Sequence, residues 1–174
     1  DGDRSFHPGV ISNRFDLLSE LSLRAGNMGV EASAAAWYDT VYREENDNNS
    51  PATFNPVSVA YDHFAKSVRR LHGRDAEVLN AFAYATFNAG HVPVSVRVGR
   101  STVLWGESLF FASNGIAAGQ APVDGIKASS VPGSRAKEVY LPVAQAWIRV
   151  QPQPNLTVEA YYQFEWRRSR IPVV

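Results

Sequence analysis

The stretch LTVEAYYQFEW, Leu156 to Trp166, alternates between two kinds of side chain along its whole length. One parity carries Leu156, Val158, Ala160, Tyr162, Phe164 and Trp166, and the other carries Thr157, Glu159, Tyr161, Gln163 and Glu165. This alternation predicts a β-strand. Strands of soluble domains usually run about 5 or 6 residues, whereas about 11 residues are what a tilted transmembrane strand needs. A long strand of a soluble sandwich or a lipocalin-like barrel fits this stretch equally well.

The composition excludes several classes of protein. Lysine and arginine total 17, and so do aspartate and glutamate, so the chain has no net basic charge with which to bind nucleic acid. There is no cysteine, which excludes disulfides, thiolate metal sites and cysteine catalysis. No apolar run approaches the roughly 18 residues of a membrane helix, so any membrane span must consist of strands.

Five further segments show the pattern of a strand. They cover residues 15–25, 30–42, 77–87, 94–108 and 139–151. Arg100 breaks the alternation that begins at Val94, so we expect a bulge or a bend at Gly99.

The connections between the predicted strands are alternately short and long. The long ones cover residues 44–74 and 106–136, and the first contains an amphipathic helical pattern at 57–72. Outer-membrane barrels show this asymmetry, with short periplasmic turns and long outer loops. We therefore predict an all-β, antiparallel up-and-down transmembrane β-barrel with long outer loops and one short helix in a loop.

The direction of each strand predicts whether the six strands form a whole barrel. If the long loops face outwards, the strand at 30–42 runs outwards and the strand at 15–25 runs inwards, so residues 1–14 belong to an outer loop. A chain that enters from the periplasm then needs another strand before Asp1, and six strands are fewer than the usual minimum of about eight. We expect residues 1–174 to be a single segment of about six strands from a larger barrel, incomplete at both ends.

Charged and polar side chains on the polar parity of these strands are candidates for a pore lining. They are Glu20, Arg24, Glu31, Asp39, Arg97, Arg149, Glu159, Gln163, Glu165 and Arg167. An arginine that faced lipid at the bilayer midplane would cost about 2 to 4 kcal/mol, which predicts that Arg97 and Arg149 face away from lipid. Because both signs of charge are present, the same residues fit either a salt-bridged wall or a lining that sets selectivity.

The second long connection is apolar for a loop in water. It contains Leu109, Phe110, Phe111 and Ile116, which we expect to form a constriction or a ligand surface inside the barrel, or to pack on the barrel rim.

Sites for catalysis or metal binding are not predicted. His7, His63, His72 and His91 lie in loops or turns without the spacing of metal ligands, and we expect them to be solvated. The acidic run around Asp47 lacks the ordered oxygen spacing of a calcium loop, and there is no GxSxG nucleophile motif. Glu159 and Glu165 would lie roughly 20 Å apart on one strand face, too far for a glycosidase pair. The sequence predicts neither a cofactor nor an enzyme.

Several stretches resemble a known family. They are HGRDAEVLNAF (72–82), VRVGRSTVLWGES (96–108), PVDGIKASSVPGSRAKEVYLPV (122–143), NLTVEAYYQFEW (155–166) and the opening DGDRSFHPGVISNRFDLLSELSL. They are similar to a Gram-negative outer-membrane family, domain of unknown function 1302. The resemblance implies a β-barrel of well over twice this length that moves hydrophobic or steroid-like compounds across the outer membrane, often beside an inner-membrane exporter of the resistance-nodulation-division type. It offers no catalytic residues to carry over.

Together these observations predict a channel or transporter for hydrophobic small molecules in the outer membrane of a Gram-negative bacterium. The expected partners are membrane lipid and lipopolysaccharide, a hydrophobic substrate and the inner-membrane exporter. The alternative is a soluble β-sandwich or lipocalin-like ligand-binding module, and a third interpretation is a barrel with a structural or docking role. The face that carries Ala32, Ala34, Ala36, Val94, Val96, Val98, Ala146 and Ile148 distinguishes the first two, since it meets lipid in a channel and is buried in a binding module.

Overall fold

The protein forms an antiparallel sheet of six strands in a computed structural model, which describes residues 5–53, 59–103, 121–134 and 136–171. The strands are β1 (Arg14–Ala25), β2 (Met28–Asp39), β3 (Arg74–Ala89), β4 (Val92–Ser101), β5 (Val143–Gln153) and β6 (Leu156–Gln163). Each strand pairs with the next one along the chain. The predicted all-β, up-and-down order is therefore confirmed. In the described residues β1 and β6 are the two edges of an unclosed sheet.

Several strand ends differ from the sequence prediction. β2 ends at Asp39 and not at Tyr42, because Val41–Arg43 forms a 3-10 turn. β5 begins at Val143 and not at residue 139, because Ala136–Val139 is helical and residues 140–142 lie between the helix and the strand. β6 ends at Gln163, although Phe164 still donates its backbone N–H to the carbonyl of Ala144. Local alternation continues beyond these points, but the regular strand ladder does not.

The helices in the described residues are short and lie in the long connections. A 3-10 turn at Pro51–Thr53 is followed by α1 (Lys66–Val68), which continues as a π-turn at Arg69–Gly73. The second connection contains α2 (Gly125–Ser130) and α3 (Ala136–Val139). The predicted helix at 57–72 was too long, since residues 59–65 are not helical and residues 57 and 58 lie outside the described residues.

Among the described residues, the structure contains no helix that is both long and apolar enough to cross a membrane.

The chain divides into two compact units, and each is described by itself. The first consists of Asp1–Leu18, Ala35–Glu77 and Ile171–Val174, and the second of Ser19–Ala34 and Val78–Arg170.

An aromatic cluster forms part of the core of the first unit. Tyr42 lies 5.1 Å from Phe64 and 4.9 Å from His72, measured between ring centroids, and Phe6 lies 5.6 Å from Phe64. His72 is only 4% exposed, so the expectation that this histidine is solvated was wrong. The ring is buried because it stacks on Tyr42, a contact between residues far apart in the sequence.

A buried carboxylate closes the end of β2 in the same unit. Asp39 is fully buried and accepts hydrogen bonds from the Ser12 hydroxyl, from the backbone N–H of Asn13 (3.1 Å) and from that of Val41 (3.0 Å). Buried polar groups that lose such partners cost about 1 to 3 kcal/mol each. Asp39 therefore fastens the segment before β1 to the turn after β2.

Gly99 lies within β4 in the second unit, and its backbone conformation is unusual for a strand. Phe82 pairs with Gly99 and Gly99 pairs with Gln145, so the register is continuous on both sides. The φ angle of Gly99 is +128°, which L side chains rarely adopt. A Cβ atom there would lie 2.7 Å from Cα of Phe82 and closer still to the carbonyl oxygen of Ala81. The register contains no bulge at this position, and the irregularity of β4 here is the positive φ of Gly99.

Ion pairs hold together the short helices of the second unit. Lys127 Nζ lies 3.1 Å from a Glu138 oxygen, and both side chains are almost fully buried. Asp124 caps α2 by accepting a hydrogen bond from the backbone N–H of Lys127, and its other oxygen lies 2.8 Å from Arg170. The backbone of Arg170 also pairs with that of Gly125. These contacts attach the end of the described chain to α2.

Candidate functional site

The paired strands β3 to β6 present one polar and aromatic face. Because residues directly opposite each other in a sheet share a face, the register defines three rungs across these strands. They are Tyr84–Arg97–Trp147–Tyr161, Thr86–Ser95–Arg149–Glu159 and Phe82–Gly99–Gln145–Gln163. We call this surface the polar face.

Three rungs on the opposite face of the same strands are apolar, and the rung beyond them contains Arg100, which pairs with Ala81 and Ala144. The apolar rungs are Ala83–Val98–Ala146–Tyr162, Ala85–Val96–Ile148–Ala160 and Phe87–Val94–Val150–Val158. Val98, Ile148 and Tyr162 are exposed. Exposed aromatic residues extend this apolar face past the end of β6, since Phe164 is 64% and Trp166 79% exposed.

Arg97 stands at the centre of the polar face between aromatic rings. Its guanidinium carbon lies 4.7 Å from the ring centroid of Phe82 and 5.4 Å from that of Trp147. In the described part of the chain, its buried Nε donates no hydrogen bond, and its recorded contacts are with rings and not with carboxylates. Stacked rings orient a guanidinium while leaving its positive charge uncompensated. Such a group suits an anion or the polar end of a ligand.

The next polar rung is paired internally. Arg149 lies opposite Glu159, with Nε 3.6 Å from a carboxylate oxygen, and the hydroxyls of Thr86 and Ser95 are 3.3 Å apart. This is the pairing of opposite charges expected of a salt-bridged wall. The structure places Arg149, Glu159 and Gln163 on the same face as Arg97, and their role in lining a pore stays a prediction.

Two of the predicted lining residues lie beyond the end of β6 and fasten chain segments. Glu165 accepts hydrogen bonds from Arg100 (2.9 Å) and from the backbone N–H of Ala144 (3.0 Å). Arg167 donates to the carbonyl of Pro142 (3.1 Å). Sequence parity puts Glu165 and Arg167 in line with Gln163, but β6 has already ended. Sequence patterns did not identify Arg100 as the partner of Glu165. The break in parity at Arg100 was nevertheless a signal, because Arg100 shares the parity of the apolar residue Val98.

The remaining candidates lie on the first two strands. In the second unit, Glu20 and Arg24 are exposed, Glu31 is half-buried, and Arg24 Nε donates to the carbonyl of Gly26 (3.2 Å). In the first unit, Asp39 is fully buried and hydrogen-bonded, so its assignment to a pore lining is corrected to an anchoring role. Leu109, Phe110, Phe111 and Ile116 lie outside the described residues.

A family model matches the chain over residues 1–174. Its description is "Protein of unknown function (DUF1302)". The chain belongs to this family. The resemblance noted from the sequence is thereby confirmed. No curated protein and no solved structure matches the chain.

A glycine and an aromatic ring meet on the polar face of this DUF1302 chain. A Cβ atom at Gly29 would lie 2.6 Å from the Tyr84 hydroxyl oxygen, so the ring of Tyr84 covers the backbone of β2 where no side chain intervenes. Nearby, the backbone N–H of Thr86 donates to the carbonyl of Asn27 (2.8 Å). These contacts hold Tyr84 beside Arg97, its partner in the same rung.

The apolar face of the DUF1302 chain carries a depression of about 600 Å³. Small residues create it, because Ala83 and Ala85 leave space beside Val96 and Val98. Leu23, Met28 and Val30 complete the apolar part of its wall. Lipid chains are able to fill such a surface without a fixed shape.

Three potential metal ligands lie together in the first unit. Glu45, Asp62 and His63 bring their ligand atoms within 4.8 Å of one another. His63 Nδ1 lies 2.7 Å from Asp62 Oδ1, and this hydrogen bond lowers the pKa of Asp62. An ordinary carboxylate–imidazole pair explains the cluster. Sequence spacing does not reveal it, because Glu45 is distant from His63 in the chain.

Proposed function

We propose that this chain is part of an outer-membrane β-barrel that acts as a passive channel or transporter for hydrophobic, steroid- or lipid-like small molecules. The observation that carries the proposal is the alternation, along β3 to β6, of three neighbouring apolar rungs with three polar or aromatic rungs. Outer-membrane barrels alternate in this way, with lipid on one side and a polar interior on the other. The long connections after β2 and β4 then form the outer loops.

The exposure of Val98, Ile148 and Tyr162 on the apolar face favours a membrane over a soluble binding module. Val98 and Tyr162 are 55% and 69% exposed, and soluble monomers rarely expose apolar patches larger than about 300 to 600 Å². A lipocalin-like module would instead turn these side chains towards its ligand and bury them. The expected lipid and lipopolysaccharide partners follow from the same face.

The polar face supports an amphipathic class of substrate. Tyr84, Trp147 and Tyr161 lie in one rung with Arg97, so flat apolar surfaces lie beside one uncompensated cation. Rings of this kind bind the apolar part of a steroid-like molecule, and the guanidinium engages a polar end. The resemblance to exporter-associated proteins adds an inner-membrane exporter as a proposed partner.

Replacing Val98 by arginine tests the proposed contact with lipid. In full-length protein folded into lipid vesicles, we expect Val98→Arg to lower the free energy of unfolding by about 2 to 4 kcal/mol, because the charge would face hydrocarbon. Urea titration followed by tryptophan fluorescence measures the change.

Thr86→Arg is the matched control, since Thr86 is exposed on the polar face. We expect this variant to change stability by about 0.5 kcal/mol or less. If Val98 instead faced water, as its exposure would allow, arginine at this position would be equally harmless. Equal stabilities of the two variants in vesicles would therefore contradict the membrane assignment.

Replacing Arg97 by glutamine tests whether the polar face lines a pore. We expect Arg97→Gln to lower the anion-to-cation permeability ratio by about twofold, because charged side chains in a pore set its ion preference. The reversal potential across a planar bilayer with a KCl gradient measures this ratio.

Two further variants separate charge from packing. Arg97→Lys retains the positive charge and is expected to keep the wild-type ratio, although it loses the planar contact with Phe82 and Trp147. Arg168→Gln removes an exposed cation beyond the end of β6 and should leave the ratio unchanged. A wild-type reversal potential for Arg97→Gln would remove Arg97 from the pore lining.

A further inference from the structure

Five basic side chains line one cavity in the first unit. They are Arg43, Lys66, Arg69, Arg70 and Arg74, and the volume of the cavity is about 230 Å³. The chain as a whole is neutral, so composition does not explain the concentration. The turn after β2, the helix α1 with its π-turn and the first residue of β3 bring the five together.

The positive charge of this basic cavity is largely uncompensated. In the described residues, one ion pair to the cavity is recorded, in which Arg70 Nε lies 2.7 Å from an oxygen of Asp75. Positive charges that line one cavity repel one another, and an anion in the cavity would relieve that repulsion. Arginine offers a planar fork of N–H donors that matches the oxygens of phosphate, and lysine adds a mobile point charge.

One wall of the basic cavity adjoins the side of β2 that carries its apolar residues. Arg43 donates a hydrogen bond to the Tyr38 hydroxyl (2.9 Å), and its guanidinium carbon lies 5.4 Å from the centre of that ring. Tyr38 shares its strand parity with Ala36 and is 41% exposed. Tyrosine at the end of an apolar strand face is typical of the membrane–water boundary. The cations therefore begin where the apolar surface ends.

We propose that the basic cavity binds the phosphate groups of lipopolysaccharide, the phosphorylated glycolipid of the outer leaflet. This inference rests on the proposed function, which puts the connection between β2 and β3 on the outer side of the membrane. Acyl chains lie along Ala36 and Tyr38, and the phosphates on the sugar reach Arg43, Arg69 and Arg74. A soluble phosphate would use the cations alone and would not need the apolar surface beside them.

The test titrates full-length protein, purified in detergent and freed of lipopolysaccharide, with diphosphorylated lipid A. We expect Arg69→Gln to weaken binding by about tenfold, because a charge-assisted hydrogen bond is lost. Arg69→Lys keeps the charge and is expected to bind more tightly than Arg69→Gln. Arg168→Gln, which removes an exposed cation outside the cavity, should bind as the wild type does. Equal affinities of Arg69→Gln and Arg168→Gln would overturn the proposal.

Competing ligands distinguish the source of the phosphate. Dephosphorylated lipid A should bind much more weakly than the diphosphorylated form, and inorganic phosphate at millimolar concentration should not displace it. Displacement by inorganic phosphate would point to a soluble anion and contradict a glycolipid site. Insertion into planar bilayers is measured on the same preparations. Protein that conducts but shows no dependence on Arg69 overturns this inference alone, whereas protein that does not insert overturns the proposed function as well.

Discussion

Replacing Gly99 by alanine is expected to lower the free energy of unfolding by about 4 kcal/mol or more, or to prevent folding. The φ angle of +128° is unfavourable for any residue with a Cβ atom. The new methyl group would also lie 2.7 Å from Cα of Phe82 and closer still to the carbonyl oxygen of Ala81. Both neighbours are backbone atoms, so neither is able to move without disturbing the pairing of β3 with β4. Urea titration of the full-length protein in detergent micelles measures the loss.

Gly90→Ala is the matched control for Gly99→Ala. Gly90 also has a positive φ, +66°, but nothing lies within 4 Å of the position that a Cβ atom would take. We expect a loss of about 1 kcal/mol from the backbone conformation alone. The difference between the two variants measures the close approach of β3 to β4 together with the greater strain of a φ of +128°. Similar losses for both would show that the backbone around Gly99 relaxes without cost.

Replacing Asp39 by alanine is expected to lower the stability of the first unit by about 3 kcal/mol, because three partly buried donors lose their acceptor at roughly 1 kcal/mol each. The Ser12 hydroxyl and the backbone N–H groups of Asn13 and Val41 all donate to this carboxylate. The segment before β1 should detach from the end of β2. Hydrogen exchange of the Asn13 and Val41 amides, which the carboxylate protects in the wild type, measures the detachment directly.

Asp47→Ala is the control for Asp39→Ala. Asp47 accepts a hydrogen bond from the backbone N–H of His7 (2.7 Å), but in an exposed place. Water replaces such an acceptor, so we expect a loss of about 1 kcal/mol or less. Protection of Asn13 and Val41 that is equal in both variants would contradict the anchoring role of Asp39.

The alternation of side chains predicted the sheet well because it is a local property. The period of two residues located all six strands and assigned Arg97 and Val98 to opposite faces before any pairing was known. The same rule failed at strand ends. Glu165 has the parity of Gln163, but Arg100 and the backbone of Ala144 hold it outside the ladder. Parity does not report where pairing stops, since that depends on the neighbouring strand.

Contacts between distant residues were beyond the reach of sequence patterns. His72 looked like a solvated loop histidine until Tyr42 was found stacked on it. Asp39 has the parity of a lining residue, yet Ser12 and Asn13 bury it. Neither burial follows from the spacing of residues in one segment, because the partner belongs to another.

The sequence by itself determined the number, order and two-faced character of the strands, because these depend on side chains a few residues apart and on the lengths of connections. Only the tertiary structure decided which side chains act together. Arg97 meets Phe82 and Trp147 through the register of three strands, and Arg43 meets Arg74 in the basic cavity through the path of a long loop. Register and loop path follow from the free energy of the whole fold, and so the candidate sites became visible only in three dimensions.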